Sequence, residues 1–182
     1  MRFVSLSVIA ASLSLGSAAA EPGRQTSPCG GESPPSLAVP AGNDLAFALE
    51  AEGVQIYACA VSAASFGWAL QAPEARLSET SGPVAGTHYA GPTWESTDGS
   101  RVVGAKLEAT TPDAAAIPWL LLRAASHAGS GRMEEVTFVQ RIRTWGGNAP
   151  HHGCDATHAG EVARVPYRAV YCFYRKGVGA RG

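Results

Sequence analysis

Several features that mark common protein classes are missing from this chain of 182 residues. Only 16% of the residues are charged, the formal net charge is −1, and neither a basic stripe nor an acidic tail is present. This composition lacks the electrostatic footprint of a nucleic-acid-binding protein, so we expect no nucleic-acid partner. The chain also lacks an internal repeat and a long amphipathic helical pattern, which argues against a helical fold.

The one long apolar run lies at the N-terminus and is too short to span a membrane. Arg2 precedes it, and Ala18-Ala19-Ala20 offers a small-residue cleavage site before Glu21. This is the pattern of a secretory signal peptide over residues 1–20. No cysteine directly follows the cleavage site, and no later segment is long and apolar enough for a membrane span. We expect an exported protein, periplasmic or extracellular, with no membrane span in the mature chain.

Cys-x-x-Cys pairs are absent, which argues against a zinc site built on cysteines. All four cysteines lie in the expected mature chain: Cys29, Cys59, Cys154 and Cys172. An even number of cysteines in an exported chain favours disulfide bonds. Three pairings are possible at this point.

Alternating apolar and polar residues, separated by turn signals, predict a series of β-strands. Leu45 to Glu50 and Val54 to Val61 alternate on either side of a predicted turn at Glu52-Gly53. Val165 to Tyr174 also alternates, so its residues are expected to divide between two faces. One face has Tyr167, Ala169, Tyr171 and Phe173, and the other has Arg168, Val170, Cys172 and Tyr174.

The expected domain organisation is simple. Residues 21–40 are rich in Pro, Gly and Ser and predict an irregular arm. Residues 41–175 are predicted to form a single all-β domain, an antiparallel β-sandwich or barrel. Residues 176–182 are predicted to be a mobile tail.

The stretch Gly86 to Ser100 is the densest in residues with special backbone or chemical properties. Asp98-Gly99 predicts a tight turn between two antiparallel strands, and Pro92 predicts a sheet edge or bulge. We expect this hairpin to lie beside the loop from Trp145 to Asp155, and the two together to make the functional face.

A set of motifs in this order resembles an exported family catalogued as domain of unknown function 3455. The resemblance covers about Pro35 to Tyr174 and rests on these segments: Gly53-Val54-Gln55-Ile56-Tyr57-x-Cys59, Gly86-x-His88 to Glu95, Asp98-Gly99-Ser100, Ile117-Pro118-Trp119-Leu120, Gln140-Arg141, Gly146-Gly147-x-Ala149-Pro150, Cys154-Asp155 and Val165-Pro166-Tyr167. It implies no activity.

The resemblance does imply which residues belong to the shared pattern. They are Cys59, His88, Trp94, Glu95 and Cys154. Because Cys59 and Cys154 are both in the pattern, we predict that they form one disulfide. The remaining pair, Cys29 and Cys172, would then tie the N-terminal arm to the last strand.

His88 together with Glu95 or Asp98 is a candidate acid–base pair, because histidine titrates near neutral pH and a carboxylate can orient it. The alternative is structural, with both side chains satisfying backbone groups near a bulge. No serine or cysteine nucleophile with a recognisable turn accompanies them.

The loop after Trp145 carries four candidate metal ligands: His151, His152, Asp155 and His158. Imidazole and carboxylate suit zinc or copper. The alternative is a polar, solvated loop, because no rigid helical spacing presets a binding geometry.

Aromatic residues are candidates for ligand binding. We expect Trp68 and Trp119 in the core, and Trp94 and Trp145 at the surface beside glycine-rich segments. Tyr89, Trp94 and Trp145 are the predicted ligand-binding residues.

The sequence predicts no cofactor. The string Gly177-x-Gly179-x-x-Gly182 matches a dinucleotide fingerprint in its letters, but no helix follows it to hold a pyrophosphate. We expect an exported binding or envelope-associated module whose partner is a small molecule or an envelope component. The alternative is a small hydrolase or metal-dependent enzyme that uses His88 and Glu95; a third class is a structural cell-surface protein.

Overall fold

The protein forms a closed barrel of eight antiparallel strands. A computed structural model describes residues 28–31, 33–62 and 65–179, so the predicted signal peptide lies outside the described residues. Each strand pairs with the next in sequence, and the last pairs with the first. The strands are β1 (Asn43–Ser62), β2 (Ser65–Ser78), β3 (Val84–Tyr89), β4 (Thr93–Ser96), β5 (Arg101–Thr110), β6 (Trp119–Ala128), β7 (Val136–Gly146) and β8 (Val162–Lys176). The all-β prediction is confirmed, with a barrel as its architecture.

Within the described ranges, no helix combines the length and the apolar character that crossing a membrane requires.

The predicted turn at Glu52-Gly53 is wrong, because β1 continues through it for 20 residues. A Cβ atom on Gly53 would lie 2.1 Å from the carbonyl oxygen of Glu74 and 2.5 Å from the Cα atom of Ala75. Glycine is therefore needed here for the close approach of β1 to β2 rather than for a change of direction.

The predicted turn at Asp98-Gly99 is confirmed between β4 and β5. Gly99 has a φ of +85°, and an Asp98 carboxylate oxygen accepts a hydrogen bond from the backbone N–H of Ser100 at 2.9 Å. A second turn at residues 90–92, with Gly91 at a φ of +113°, separates β3 from β4. His88 and Trp94 are therefore cross-strand partners on one face of the sheet.

We call the end of the barrel where β1 begins its lower end. The interior near this end is filled by apolar side chains, with the Phe47 and Phe173 rings stacked at 4.6 Å. The segment before β7 closes this end. The Arg132 guanidinium lies 3.9 Å from the centre of the Phe47 ring and forms an ion pair with Glu79. Met133 is fully buried beside it.

The described part of the N-terminal arm packs on the outside of β7 and β8. The predicted disulfide between Cys29 and Cys172 is confirmed, and the Leu37 carbonyl accepts a hydrogen bond from the Gln140 amide at 2.8 Å. A second apolar cluster forms under the arm around Ile142, Val170 and Cys172. Trp119 packs against this outer cluster and is only partly buried, so the prediction that it lies in the central core is wrong.

Candidate functional site

The loop between β7 and β8 begins by covering the upper end of the barrel. Gly146 and Gly147 have φ values of +62° and +81°. A Cβ atom on Gly147 would lie 2.8 Å from Tyr167 Cβ and 3.2 Å from Gln55 Cγ, so only glycine lets the backbone lie this close to the interior. The Tyr57 hydroxyl donates a hydrogen bond to the Gly147 carbonyl at 2.6 Å. The start of the loop is thereby held over the barrel interior.

The rest of this loop is attached to the ribbon formed by β1 and β2. The predicted disulfide between Cys59 and Cys154 is confirmed, with Cα atoms 5.3 Å apart. The Cys59 N–H donates to the Glu161 carbonyl at 2.8 Å, and the Gly160 N–H donates to the Cys59 carbonyl at 2.9 Å. Trp68 donates its indole N–H to the His152 carbonyl at 2.9 Å. Trp68 is partly buried under the loop, so the prediction that it lies in the core is wrong.

Beneath the start of the loop, the interior contains polar side chains. We call this set the polar layer: Gln55, His88, Trp94, Arg141, Tyr167 and Tyr171. Four buried atoms in it have no hydrogen-bond partner, namely Gln55 Nε2, Trp94 Nε1, Tyr167 Oη and Tyr171 Oη. These four side chains are at most 2% exposed. Each unpaired buried polar group costs about 1–3 kcal/mol of stability, so their concentration in one place needs a physical explanation.

The members of the polar layer are connected by direct contacts. Gln55 and Tyr167 both flank Gly147. Tyr171 lies close enough to the Tyr167 hydroxyl to raise the pKa of Tyr167, in addition to the larger effect of burial, although the two hydroxyls do not reach hydrogen-bond geometry. Tyr171 in turn packs against His88 with ring centres 5.0 Å apart, and against Trp94 at 5.3 Å.

His88 is neutral in this environment. Burial lowers its pKa to about 3, with a further contribution from the charge of Arg141, while a hydrogen bond to Thr93 acts in the opposite direction. The Thr93 carbonyl lies 2.7 Å from Nδ1 and can only accept. Nδ1 therefore carries the proton and Nε2 carries the lone pair.

Arg141 faces the interior, because its neighbours across the sheet are Leu120 and Tyr171, which pack with the central core. Its Nε donates to the Pro118 carbonyl at 3.0 Å. Its positive charge lowers the pKa of both Tyr57 and Tyr167, although burial is the larger effect and raises both. Among the residues that the structure describes, no carboxylate forms an ion pair with Arg141.

Trp94 was expected at the surface, and this prediction is wrong because the side chain is 1% exposed. It lies inside because β4 pairs it with His88 on the inner face. Gly104 on β5 provides the space, since a Cβ atom there would lie 2.9 Å from Trp94 Cζ3. Trp145, by contrast, is 63% exposed on the outer wall, with the Arg168 guanidinium 5.9 Å from its ring centre.

The predicted pair of His88 and Glu95 does not form, because the two side chains lie on opposite faces of the sheet. Glu95 is on the outer wall, where it accepts a hydrogen bond from the Tyr89 hydroxyl at 2.6 Å. Asp98 does not pair with His88 either. It stabilises the turn at the lower end, where hydrogen bonds from the Arg132 backbone and from Ser100 lower its pKa to about 2.

The expected functional face does not form as predicted, since His88 and Trp94 point into the barrel. The hydrogen bonds that join residues 147–161 to the rest of the protein are formed with Tyr57, Cys59 and Trp68. One more is donated by the Asn148 side chain to the Ala114 carbonyl. The ligand-binding roles proposed for Tyr89, Trp94 and Trp145 stay predictions.

The loop histidines do not gather around a common point in the described part of the chain, where no three His, Cys, Asp or Glu side chains form a group suited to a metal ion. His158 Nδ1 donates instead to Asp155 at 2.8 Å. This contact raises the pKa of His158, and hydrogen bonds from Thr157 and His158 lower the pKa of Asp155. Metal binding by His151, His152, Asp155 and His158 stays a prediction.

Sequence reasoning missed Gln55, Arg141 and Tyr167 as site residues. In the sequence, Arg141 shares one side of the strand alternation with Val139 and with two other polar residues, Thr137 and Arg143, so the alternation does not mark that side as inward. A register shift between Val136 and Phe138 turns that side inward. The signal that pointed to Arg141 was its place beside Gln140 in the shared motif.

The fold and the site define the class of this protein: a closed, antiparallel eight-stranded barrel with a polar interior beneath a disulfide-tethered loop. The family described as "Protein of unknown function (DUF3455)" matches residues 40–175, and the chain belongs to this family, as the motifs predicted. The matched range contains the whole polar layer and leaves out Cys29. No curated protein and no solved structure matches the chain.

Proposed function

We propose that this protein is an exported binding module that holds a small molecule inside its barrel, within the polar layer. The observation that carries the proposal is the presence of four buried polar atoms without partners in one part of the interior. More than about 90% of buried polar groups in proteins have a partner. A ligand bound among these side chains would supply the missing hydrogen bonds.

The size of the barrel supports this proposal. The interior of an eight-stranded barrel is either filled by side chains or holds one small ligand. Here aromatic and aliphatic side chains fill the lower half, and the upper half brings unpaired polar groups into the same packed core.

The cover supports it as well. A ligand enclosed in the polar layer needs a segment that excludes water from above, and the Gly146-Gly147 backbone lies in that position. The Tyr57 hydrogen bond and the disulfide to Cys59 hold the loop at two points. Two disulfides also fit an oxidising compartment outside the cytoplasm.

The first test is native mass spectrometry of the full chain purified from the periplasm, compared with the same protein after mild denaturation and refolding. We expect a small molecule to leave on denaturation. Adding it back should raise the melting temperature, since a ligand at a hundred times its Kd stabilises the folded state by about 2.7 kcal/mol.

A matched pair of tryptophan variants locates the site. Trp94→Phe removes the unpaired indole donor inside the barrel, and Trp145→Phe changes an indole on the outer wall. We expect the thermal shift to fall with Trp94→Phe and to persist with Trp145→Phe. The opposite pattern would place binding on the outer wall. A high-resolution structure with ordered waters on all four polar atoms and no co-purified molecule would also overturn the proposal.

A further inference from the structure

We infer that two copies of this protein associate through β2, whose upper part has a free edge that pairs with the same edge of a second copy. The juxtaposition that points to this is a row of unpaired backbone groups beside exposed apolar side chains, in a stretch without charge. This edge lies outside the barrel interior, so such a dimer does not depend on the binding site proposed above.

The free edge exists because β2 is longer than its neighbour β3. It pairs with β1 along its whole length, from Ser65 to Ser78, whereas β3 covers only Ala75 to Ser78. Among the described residues, no backbone hydrogen bond joins residues 66–71 to any segment other than β1. An open edge of this kind is a ready template for another strand.

The backbone groups at this edge point away from the barrel wall. Cys59 on β1 forms its backbone hydrogen bonds with the loop at residues 160–161, so its backbone faces away from β2. Trp68 lies directly opposite Cys59, and opposite residues of antiparallel strands face either toward each other or away from each other. The backbone of Trp68 therefore points away from β1. The same holds two residues to either side, at Phe66 and Leu70, because backbone direction alternates along a strand.

The side chains of this edge are apolar and exposed. Phe66 and Leu70 are 39% and 56% exposed, and Val61, the cross-strand neighbour of Phe66, is 65% exposed. All three lie on one face of the ribbon, because alternate residues and directly opposite residues share a face. Pairing of this edge would therefore remove apolar surface from water in addition to joining backbone groups.

Features that protect natural sheet edges are missing from this stretch. Such edges typically carry charged residues or proline, whereas residues 65–72 contain neither. The comparison with β5 is instructive. That strand also extends past its shorter neighbour β4, but its extension carries Lys106 and Glu108. The same molecule thus has charge on one extended strand and none on the other.

The open stretch is complementary to itself. An antiparallel pair of β2 strands, related by a two-fold axis at Trp68, places Phe66 opposite the partner's Leu70 and Leu70 opposite the partner's Phe66. The outward backbone groups then form about six hydrogen bonds between the copies. Aromatic and aliphatic side chains face each other across the strands, and no like charges do. These are the requirements for an interface in which the same patch serves both copies.

The dimer is expected to be closed and weak. A two-fold interface uses the open edge of both copies, so it does not extend to a third copy. One pair of short strands buries less area than the roughly 1,200–2,000 Å² of a standard stable interface. Association should therefore depend on concentration.

Sedimentation velocity measures this association on the protein purified from the periplasm, from about 5 to about 500 μM. We expect a shift from monomer to dimer within that range. Leu70→Lys should raise the dissociation constant about tenfold or more, because the charge enters the interface twice. The matched control is Leu107→Lys on β5, which changes a leucine that is 43% exposed and adds the same charge. It should leave the dissociation constant within about twofold, as expected for a screened surface charge.

Hydrogen exchange measured by NMR identifies the edge itself. The Phe66, Trp68 and Leu70 amides point outward and should exchange about fivefold or more slowly at the high concentration than at the low one. The Gly67 and Ala69 amides point toward β1 and should exchange at the same rate at both. This alternation is specific to strand pairing, since a contact through side chains alone would not distinguish neighbouring amides.

Three results would overturn the inference. One is a protein that stays monomeric throughout the range. Another is a dimer that is equally tight in Leu70→Lys, or whose formation leaves the three outward amides unchanged, because the copies then meet through another surface. The last is slow exchange of the outward amides in the monomer at the lowest concentration, which would show that a segment of the same chain covers the edge.

Discussion

The two halves of the barrel interior are built in opposite ways, although the same strands line both. In the lower half, Phe47 and Phe173 stack, and Arg132 covers them while paired with Glu79. Polar groups at this end have partners: Ser100 donates to Asp98 and accepts from the Met133 N–H. In the upper half, the hydroxyl of Tyr171, only two residues before Phe173 on β8, has no partner.

This contrast separates stability from function. Filling the lower half with well-packed apolar groups contributes stability through burial. Leaving buried donors unpaired in the upper half reduces stability, and such local departures from good packing are concentrated at functional sites. The lower half is the structural support, and the upper half is the part to test for binding.

The largest expected effect is in the lower half. Phe173→Ala should lower the free energy of unfolding by about 3–5 kcal/mol, because it removes a fully buried ring that stacks on Phe47. Urea denaturation followed by tryptophan fluorescence measures this. A loss below about 1 kcal/mol would show that the lower half is not the main support.

Removing a disulfide should come next, at about 2–4 kcal/mol for either pair. The location of the effect separates the pairs. Replacing Cys59 and Cys154 by Ala should speed hydrogen exchange at the Cys59 and Gly160 amides, which join the loop to β1. Exchange in the lower half should change little.

The matched control replaces Cys29 and Cys172 by Ala. It should release the arm from β8 and leave the exchange of the Cys59 and Gly160 amides unchanged. If both double variants altered the same amides, the loop and the arm would not be independent.

Acid should destabilise the protein through His88. Folding lowers its pKa from 6.5 to about 3, so the unfolded chain binds more protons between these values. This stability is fully present above pH 6.5 and is lost as the pH falls. The free energy of unfolding should be about 2 kcal/mol lower at pH 5 than at pH 8.

His88→Gln should abolish that slope between pH 6.5 and 4, as measured by urea denaturation across the range. His158 provides the control. Its pKa is raised, so its contribution has the opposite sign, and the side chain is partly exposed. If the free energy of unfolding of His88→Gln still falls between pH 6.5 and 4, another group carries the acid sensitivity. Asp98 is not that group, because its pKa shift from 3.8 to about 2 affects stability only at lower pH.

Two hydroxyl deletions compare the halves directly. Ser100→Ala removes a paired hydroxyl at the lower end and should cost about 1–3 kcal/mol, because it leaves the Met133 N–H without its acceptor. Tyr167→Phe removes an unpaired hydroxyl and should be neutral or stabilising by up to about 1 kcal/mol in the ligand-free protein. Equal losses would show that Tyr167 has a partner in solution, such as a bound water.

The smallest effect is expected in the loop. Replacing His151, His152 and His158 by Ala together should change stability by no more than about 0.5 kcal/mol per site, because these side chains lie largely at the surface. Thermal melts with and without zinc or copper check the metal hypothesis. A melting temperature that rises sharply with metal, and no longer rises in the triple variant, would establish a metal site.

Local chemistry in the sequence was enough for part of this structure. The alternation from Tyr167 to Phe173 correctly predicted which residues share a face of β8, because side chains in a strand alternate with a period of two, and that face lies in the core. The turn at Asp98-Gly99 was predicted because glycine accepts positive φ. The disulfides followed from the family resemblance rather than from the spacing of the cysteines.

Other features were decided only by the tertiary structure. Alternation is the same in a sandwich and a barrel, so closure depended on the pairing of β1 with β8, far apart in the chain. Gly53 resembled a turn until the neighbouring β2 backbone showed why no side chain fits. Trp94 became a core residue because Gly104 on the next strand leaves room for its ring.

The polar layer is the clearest case of this kind. Gln55, Arg141, Tyr167 and Tyr171 come from three strands, and nothing in the local pattern of any one strand marks them as neighbours. A register shift in β7 turned Arg141 inward. Whether a buried donor has a partner depends on all the strands around it. For this reason residue types and spacing identified the fold class, but only barrel closure showed where the unpaired groups meet.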